Sequence, residues 1–239
     1  MDERANKRRK KRRRERRILL TGIGVFLLVS CATLSWVISR HGSRHTVTDS
    51  DVVQMASRYA GIQPREVTEM DRPPLDVQLL TINEYSRPGI VLERVNGIVI
   101  HYTANPGTSA HNNRDYFEGL KDTHVTKASS HFIIGLEGEI VQCIPCDEWA
   151  YASNERNEDT LSIECCIPDE SGQFSRQTYD SLVELVSWLC FRYGLTADDI
   201  LRHYDVTGKN CPKYYVEHED AWETFCEDVT IYMEKRENE

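Results

Sequence analysis

Arg202-His203-Tyr204-Asp205-Val206-Thr207-Gly208-Lys209-Asn210-Cys211-Pro212 puts an imidazole, an ammonium and a thiol close together in the chain, and Gly208, Asn210 and Pro212 mark the stretch as a loop. A neutral imidazole and a thiolate are ligands that zinc prefers, and a loop can fold both onto one ion. Two ligands do not make a firm site. The best third is His101, directly after the apolar run Gly97-Ile98-Val99-Ile100, which places it at the mouth of a buried strand. Taken alone, such a histidine is more often a plain strand-end residue. With His203 and Cys211 it completes a three-ligand zinc set whose fourth position stays open. An ammonium two residues before a ligand, Lys209, suits an oxyanion developing on substrate.

A further group with chemical potential is Glu164, in Leu161-Ser162-Ile163-Glu164-Cys165-Cys166. Read as a strand, Leu161, Ile163 and Cys165 share one face and Ser162, Glu164 and Cys166 the other. A carboxylate between apolar neighbours is costly unless it faces water or a metal site, and the pattern alone leaves both readings open.

Recognisable elements flank and position these groups. Ile98 to Ile100 reads as a buried strand, Asn105-Pro106-Gly107 as a turn, and Ser109 as the cap of a helix with Tyr116, Phe117 and Leu120 on one face. Ser130 to Ile134 and Glu139 to Ile144 form a hairpin through Gly135-Leu136-Glu137-Gly138. A long helix runs from a Ser175 cap to Gly194, with Leu182, Leu185, Val186, Leu189 and Tyr193 inward. Thr196 to Asp199 opens another helix, Ile200-Leu201 leads into His203, and a last helix from about Val216 to Met233 packs through Trp222, Phe225 and Val229. Alternating strands and helices predict an α/β domain with a mixed central sheet flanked by helices.

The 239 residues leave room for one such domain, at 85–239, plus appendages. The net charge of −9 is unevenly spread. Residues 1–17 hold eleven Lys or Arg against Asp2, Glu3 and Glu15, so the rest of the chain is strongly acidic. In isolation Lys7 to Arg14 reads as a nucleic-acid arm. The next segment argues otherwise: Ile18 through Ile38 is 21 residues without a charge, long enough at about 1.5 Å per residue to cross a hydrocarbon core of about 30 Å. The expectation is a basic cytoplasmic tail at 1–17, a transmembrane helix at 18–38, a polar stem at 39–84 with a short helix between Val47 and Gly61, and an extracytoplasmic domain. A cleaved signal is the rival for the apolar run, with Cys31-Ala32-Thr33 as a weak cleavage motif. No Gly-rich phosphate loop is present, and no nucleic-acid partner is expected.

Of the eight cysteines, Cys31 falls in the apolar span and Cys211 in the metal set. Cys143 and Cys146 are the simplest disulfide pair, Cys165, Cys190 and Cys226 read as free buried thiols, and Cys166, on the face of Glu164, is a minor candidate ligand.

Ile100-His101-Tyr102-Thr103, the seven residues between His203 and Cys211-Pro212, and the lysine two before that cysteine resemble the zinc-dependent N-acetylmuramoyl-L-alanine amidases, a family shared by phage endolysins, bacterial autolysins and animal peptidoglycan-recognition proteins. The resemblance runs from about Pro88 to the helix after Cys211, roughly half of the chain. It implies a mixed sheet with helices on its faces, zinc in a surface groove, and hydrolysis of the amide between N-acetylmuramic acid and L-alanine of peptidoglycan. Glu164 matches a glutamate beside the zinc and would be the general base, with Lys209 on the oxyanion. His131 matches a family position, as a substrate contact or a structural strand residue.

Departures are visible as well. Ser130 stands where some relatives carry tyrosine, and Trp149-Ala150-Tyr151-Ala152 replaces Trp-His-Ala-Gly, so a substrate-contacting histidine is missing and a different stem-peptide preference is expected; Trp149 is a candidate substrate contact. Two other functions fit the residues: a wall-binding module without activity, which the presence of Cys211 and Lys209 argues against, and a zinc peptidase acting on stem peptides. Peptidoglycan and the membrane are the expected partners, and regulation by the stem or by an unidentified membrane partner is expected, since an unrestrained amidase would lyse its host.

Overall fold

A computed structural model describes residues 72–237. The expected basic tail, transmembrane helix and stem helix lie outside the described residues, and among those described no helix is long and apolar enough to cross a membrane. Six strands form one sheet: β1 (Asp76–Val77), β2 (Ile98–Tyr102), β3 (Phe132–Ile134), β4 (Ile140–Gln142), β5 (Leu161–Cys165) and β6 (Ile200–Arg202), in spatial order β1-β4-β3-β5-β2-β6. Among these strands only the β3–β4 hairpin is antiparallel; all other neighbours run parallel. The sheet is therefore mixed, as expected.

β2 lies between β5 and β6, and its residues Ile98, Val99 and Ile100 are fully buried, which suits β-branched side chains in an inner parallel strand. Full burial stabilises each of these by about 1.5–3 kcal/mol. The hairpin turns where Gly138, at φ 86, gives its N–H to the Gly135 carbonyl. A Cβ there would stand 2.9 Å from the Gln177 carbonyl, so this glycine also lets the hairpin approach the following helix.

The helices are α1 (Ala110–Thr123), α2 (Arg176–Tyr193), α3 (His203–Thr207), α4 (Lys213–Glu217) and α5 (Glu219–Glu237). Ser109 caps α1 by accepting the Asn112 N–H, and Ser175 caps α2 by accepting that of Thr178. Gly194 ends α2 in the left-handed conformation, at φ 64.

On one face of the sheet, Ile98, Ile100, Phe132, Ile134 and Ile163 meet Leu182, Leu185, Val186 and Leu189 of α2 and Trp222, Phe225 and Val229 of α5. On the other face, α1 lies over β3 and β4, where Phe117 and Leu120 join Ile133 and Val141. Among the described residues, that leaves the β2–β5 half of the second face without a covering helix. Alternation sends His101 and Glu164 to it.

Several expectations need correction. The sheet begins at Asp76 and Leu80 is buried in the second core, so the boundary expected at Tyr85 falls inside the folded unit. The segment after His203 is a helix for one turn before Gly208 ends it in the left-handed conformation. The last helix is two, broken at His218. Cys143 and Cys146 are both free: Cys143 packs in the core under α1 and Cys146 against the core under α2, so the thiols lie on opposite faces of the sheet.

Candidate metal centre

In register, His101 of β2 stands opposite Glu164 of β5, near the carboxyl ends of two parallel strands. His203 follows β6, the other neighbour of β2, and is the first residue of α3. Side chains gathered past the carboxyl ends of parallel strands are a common way for an open α/β sheet to make a site. The return of the chain adds Cys211, whose carbonyl accepts the Tyr204 N–H at 2.9 Å and so closes the loop from α3 onto its own start.

Arg202 holds this corner from the other side. Its buried guanidinium bonds Asp205 through Nε and Nη2, and bonds Glu219 at 2.7 Å and the Tyr215 carbonyl at 2.8 Å through Nη1. The Trp222 ring lies 5.3 Å away. Although desolvation works against its charge, the two carboxylates raise its pKa further. The residue before the histidine is thus an anchor between α3, α4 and α5.

His101 Nδ1 lies 3.9 Å from Cys211 Sγ, and the two imidazoles meet edge to face at 4.6 Å between centroids. One ligand atom from each of His101, His203 and Cys211 fits within 4.8 Å of the others, and all three residues are buried. Around a tetrahedral zinc, nitrogen and sulfur ligands stand about 3.5 Å apart, so a small inward movement suffices. His203 Nδ1 is buried with no hydrogen-bond partner. An orphaned buried ring nitrogen on a residue packed beside a second imidazole and a thiol is what a cation could satisfy, and the donor set fits zinc.

For the two imidazoles electrostatics agree with that fit, whereas the protein alone favours the neutral thiol at Cys211, which a bound cation would have to overcome. Burial, and then the charges of His203 and Lys209, push the His101 pKa well below the ordinary value; burial and Lys209 bring His203 to about 4. Both imidazoles are therefore neutral near pH 7, the form that can ligate a metal. Burial and the neighbouring Glu164 push the Cys211 thiol up to about 12, while the Tyr102 N–H and Lys209 act the other way. Burial also lifts the Glu164 carboxyl to about 8 against the opposing pull of Lys209, and its Oε2 is buried without a partner.

These groups line a cavity of about 320 Å³ together with Tyr102, Phe117, Lys127, Tyr151, Asn154 and Lys209. Of the residues singled out in the sequence, the structure brings together His101, His203, Cys211, Glu164 and Lys209. It places His131 elsewhere: Nδ1 accepts the Ser162 N–H at 3.0 Å, Nε2 meets the Glu148 carbonyl at 2.9 Å, and burial brings the ring to about 4. That is the structural role. Trp149 packs against the core under α2, while Tyr151 and Ala152 of its loop reach the cavity. Ser130 gives its hydroxyl to backbone carbonyls, and Cys166 takes the Asn113 amide in the core under α1. Sequence reasoning passed over Ser153, whose Oγ is 3.3 Å from His101 Nε2; a serine outside any periodic pattern carries no signal.

The family model described as N-acetylmuramoyl-L-alanine amidase matches residues 92–214. The chain is 40% identical over 157 residues to N-acetylmuramoyl-L-alanine amidase CwlL of Bacillus licheniformis, covering 60% of this chain and 43% of that protein. It is 32% identical over 175 residues to N-acetylmuramoyl-L-alanine amidase BlyA of Bacillus subtilis (strain 168), covering 64% and 46%. The chain thus spans less than half the length of these relatives. Its fold matches the structure of PlyL at a TM-score of 0.57 and 21% identity, over 66% of this chain and 97% of that one. The PlyG catalytic domain matches at 0.58 and 21%, over 67% and 96%.

Proposed function

The chain belongs to the N-acetylmuramoyl-L-alanine amidase family, and on that premise we propose that it hydrolyses the amide between N-acetylmuramic acid and L-alanine in peptidoglycan, with zinc as cofactor. The observation that carries the proposal is the convergence of His101, His203 and Cys211 beside the Glu164 carboxyl in one open cleft.

His101, His203 and Cys211 would hold the ion. When bound, it supplies Lewis acidity, drawing charge from the amide carbonyl and making the attacking water more acidic. The remaining work falls to side chains. Glu164 takes the proton from the attacking water and returns it to the departing amine of L-alanine, a double role that needs the carboxylate, whose ionisation burial opposes and Lys209 and a bound cation would favour. Lys209, exposed at the cleft, places its ammonium toward the oxyanion that develops on the carbonyl. Tyr102, Tyr151 and Asn154 offer aromatic faces and an amide to the sugar and peptide on either side of the scissile bond.

We also propose that the domain is held outside the cytoplasmic membrane by residues 18–38. Support comes from the 21 uncharged residues and the eleven basic ones before them. Incubation of the purified protein with peptidoglycan tests the activity. New N-terminal L-alanine, absent with Glu164→Gln, is the expected result. Release of amino acids from within the stem peptide instead would move the cut to a peptide bond.

A further inference from the structure

A metal-ligating imidazole must present one nitrogen's lone pair to the ion, and the partner of the other nitrogen decides which one that is. In His101 the nitrogen facing Cys211 is Nδ1, and the opposite nitrogen, Nε2, lies 3.3 Å from Ser153 Oγ. Ser153 is 1% exposed, so water does not compete for this contact.

The loop carrying Ser153 is held from its own side. Asn157 Oδ1 accepts the backbone N–H groups of Ala152, at 3.0 Å, and Ser153, at 2.6 Å. Asn154 comes next at φ 52, a left-handed conformation that asparagine tolerates, and opens a 3-10 turn at Asn154–Glu158. Arg156 and Thr160 close that turn: the guanidinium bonds Asp159, and the Thr160 hydroxyl bonds the Arg156 carbonyl. The hydroxyl is thus delivered to His101 by a braced loop that contributes no ligand itself.

We propose that Ser153 is the positioning residue of the metal centre: its hydroxyl accepts Nε2–H of His101, which fixes the ring's rotation and tautomer so that Nδ1 faces His203 and Cys211. The inference rests on the reading of His101, His203 and Cys211 as a zinc site. Partners of this kind typically contribute about 10–100-fold to metal affinity.

The test measures zinc affinity of the purified full chain by competition with a chromophoric chelator, for wild type, Ser153→Ala and Ser153→Thr. Thermal melts of the metal-stripped proteins show whether each variant folds. The expected result is a loss of about 10–100-fold in affinity for Ser153→Ala and near-wild-type affinity for Ser153→Thr, which keeps the hydroxyl. Metal-stripped melts should be similar for all three. Ser153→Ala binding zinc as wild type does overturns the role of Ser153 and leaves the metal site standing. Ser153→Thr folding normally but binding as weakly as Ser153→Ala overturns it too, because packing would then explain the effect. A wild-type protein that binds no zinc contradicts the metal reading, and this inference falls with it.

Discussion

Replacing Glu164 with glutamine should make the metal-stripped protein more stable at alkaline pH while abolishing its activity. The carboxyl sits on the cleft floor with Oε2 unpartnered, and burial raises its pKa to about 8 against an ordinary value near 4.3 in the unfolded chain. Between those values the folded state keeps a proton that the unfolded state has released. Stability therefore falls as pH rises through this window, and the full cost is reached above pH 8. At about 1.4 kcal/mol per pH unit the cost approaches 5 kcal/mol, and water entering the open cleft reduces it, so about 2–5 kcal/mol is the expected range. Glutamine keeps the volume and has no proton to lose. For a domain of this size the gain is a rise in Tm of about 4–20 °C at pH 9, shrinking to almost nothing at pH 4. Circular dichroism melts in chelator, at both pH values, read the difference directly. With zinc restored, alanine release should drop by about 10²–10⁴-fold. Coincident melts at pH 9 would show that the carboxyl is not held out of water, and a glutamine variant with normal turnover would remove Glu164 from proton transfer.

The remaining predictions concern the groups around it. Lys209→Met should lower kcat by about 10²-fold or more with zinc content unchanged, since the ammonium meets the oxyanion and not the metal; a loss of zinc would reassign it. Arg202→Met removes bonds to Asp205, Glu219 and the Tyr215 carbonyl, but both carboxylates reach solvent and can rehydrate, so a cost of about 2–3 kcal/mol is expected in urea unfolding, together with weaker zinc binding through His203. His131→Phe leaves the Ser162 N–H and the Glu148 carbonyl unpaired and should cost about 2–3 kcal/mol without changing zinc stoichiometry, as a structural residue requires.

Much of this is legible in the sequence, for identifiable reasons. β2 is a run of β-branched residues ending in histidine, α2 carries both a serine cap and a glycine stop, and these strong local signals match the observed boundaries. The five residues that the structure gathers at the cleft could be named because their side chains have chemistry of their own. What was missed acts through partners distant in sequence. β1 is two exposed residues whose pairing depends on β4, so no periodicity marks it. Arg202 looks like an ordinary charge until Glu219 and Tyr215 return to it from α5 and α4. Trp149 and His131 look like site residues by type, yet the core under α2 claims the first and a buried hydrogen-bond pair the second. Close spacing suggested a Cys143–Cys146 disulfide, but the residues between them carry the chain from one face of the sheet to the other.

The central claim is that His101, His203 and Cys211 bind the zinc that peptidoglycan amide hydrolysis requires. Zinc content and release of N-terminal L-alanine from peptidoglycan, measured on the same preparations of wild type and Cys211→Ala, test it most directly. One equivalent of zinc with alanine release, both lost in the variant while its melt stays cooperative, is the predicted result. A zinc-free wild-type protein, or a folded Cys211→Ala protein that retains both zinc and cleavage, would contradict it.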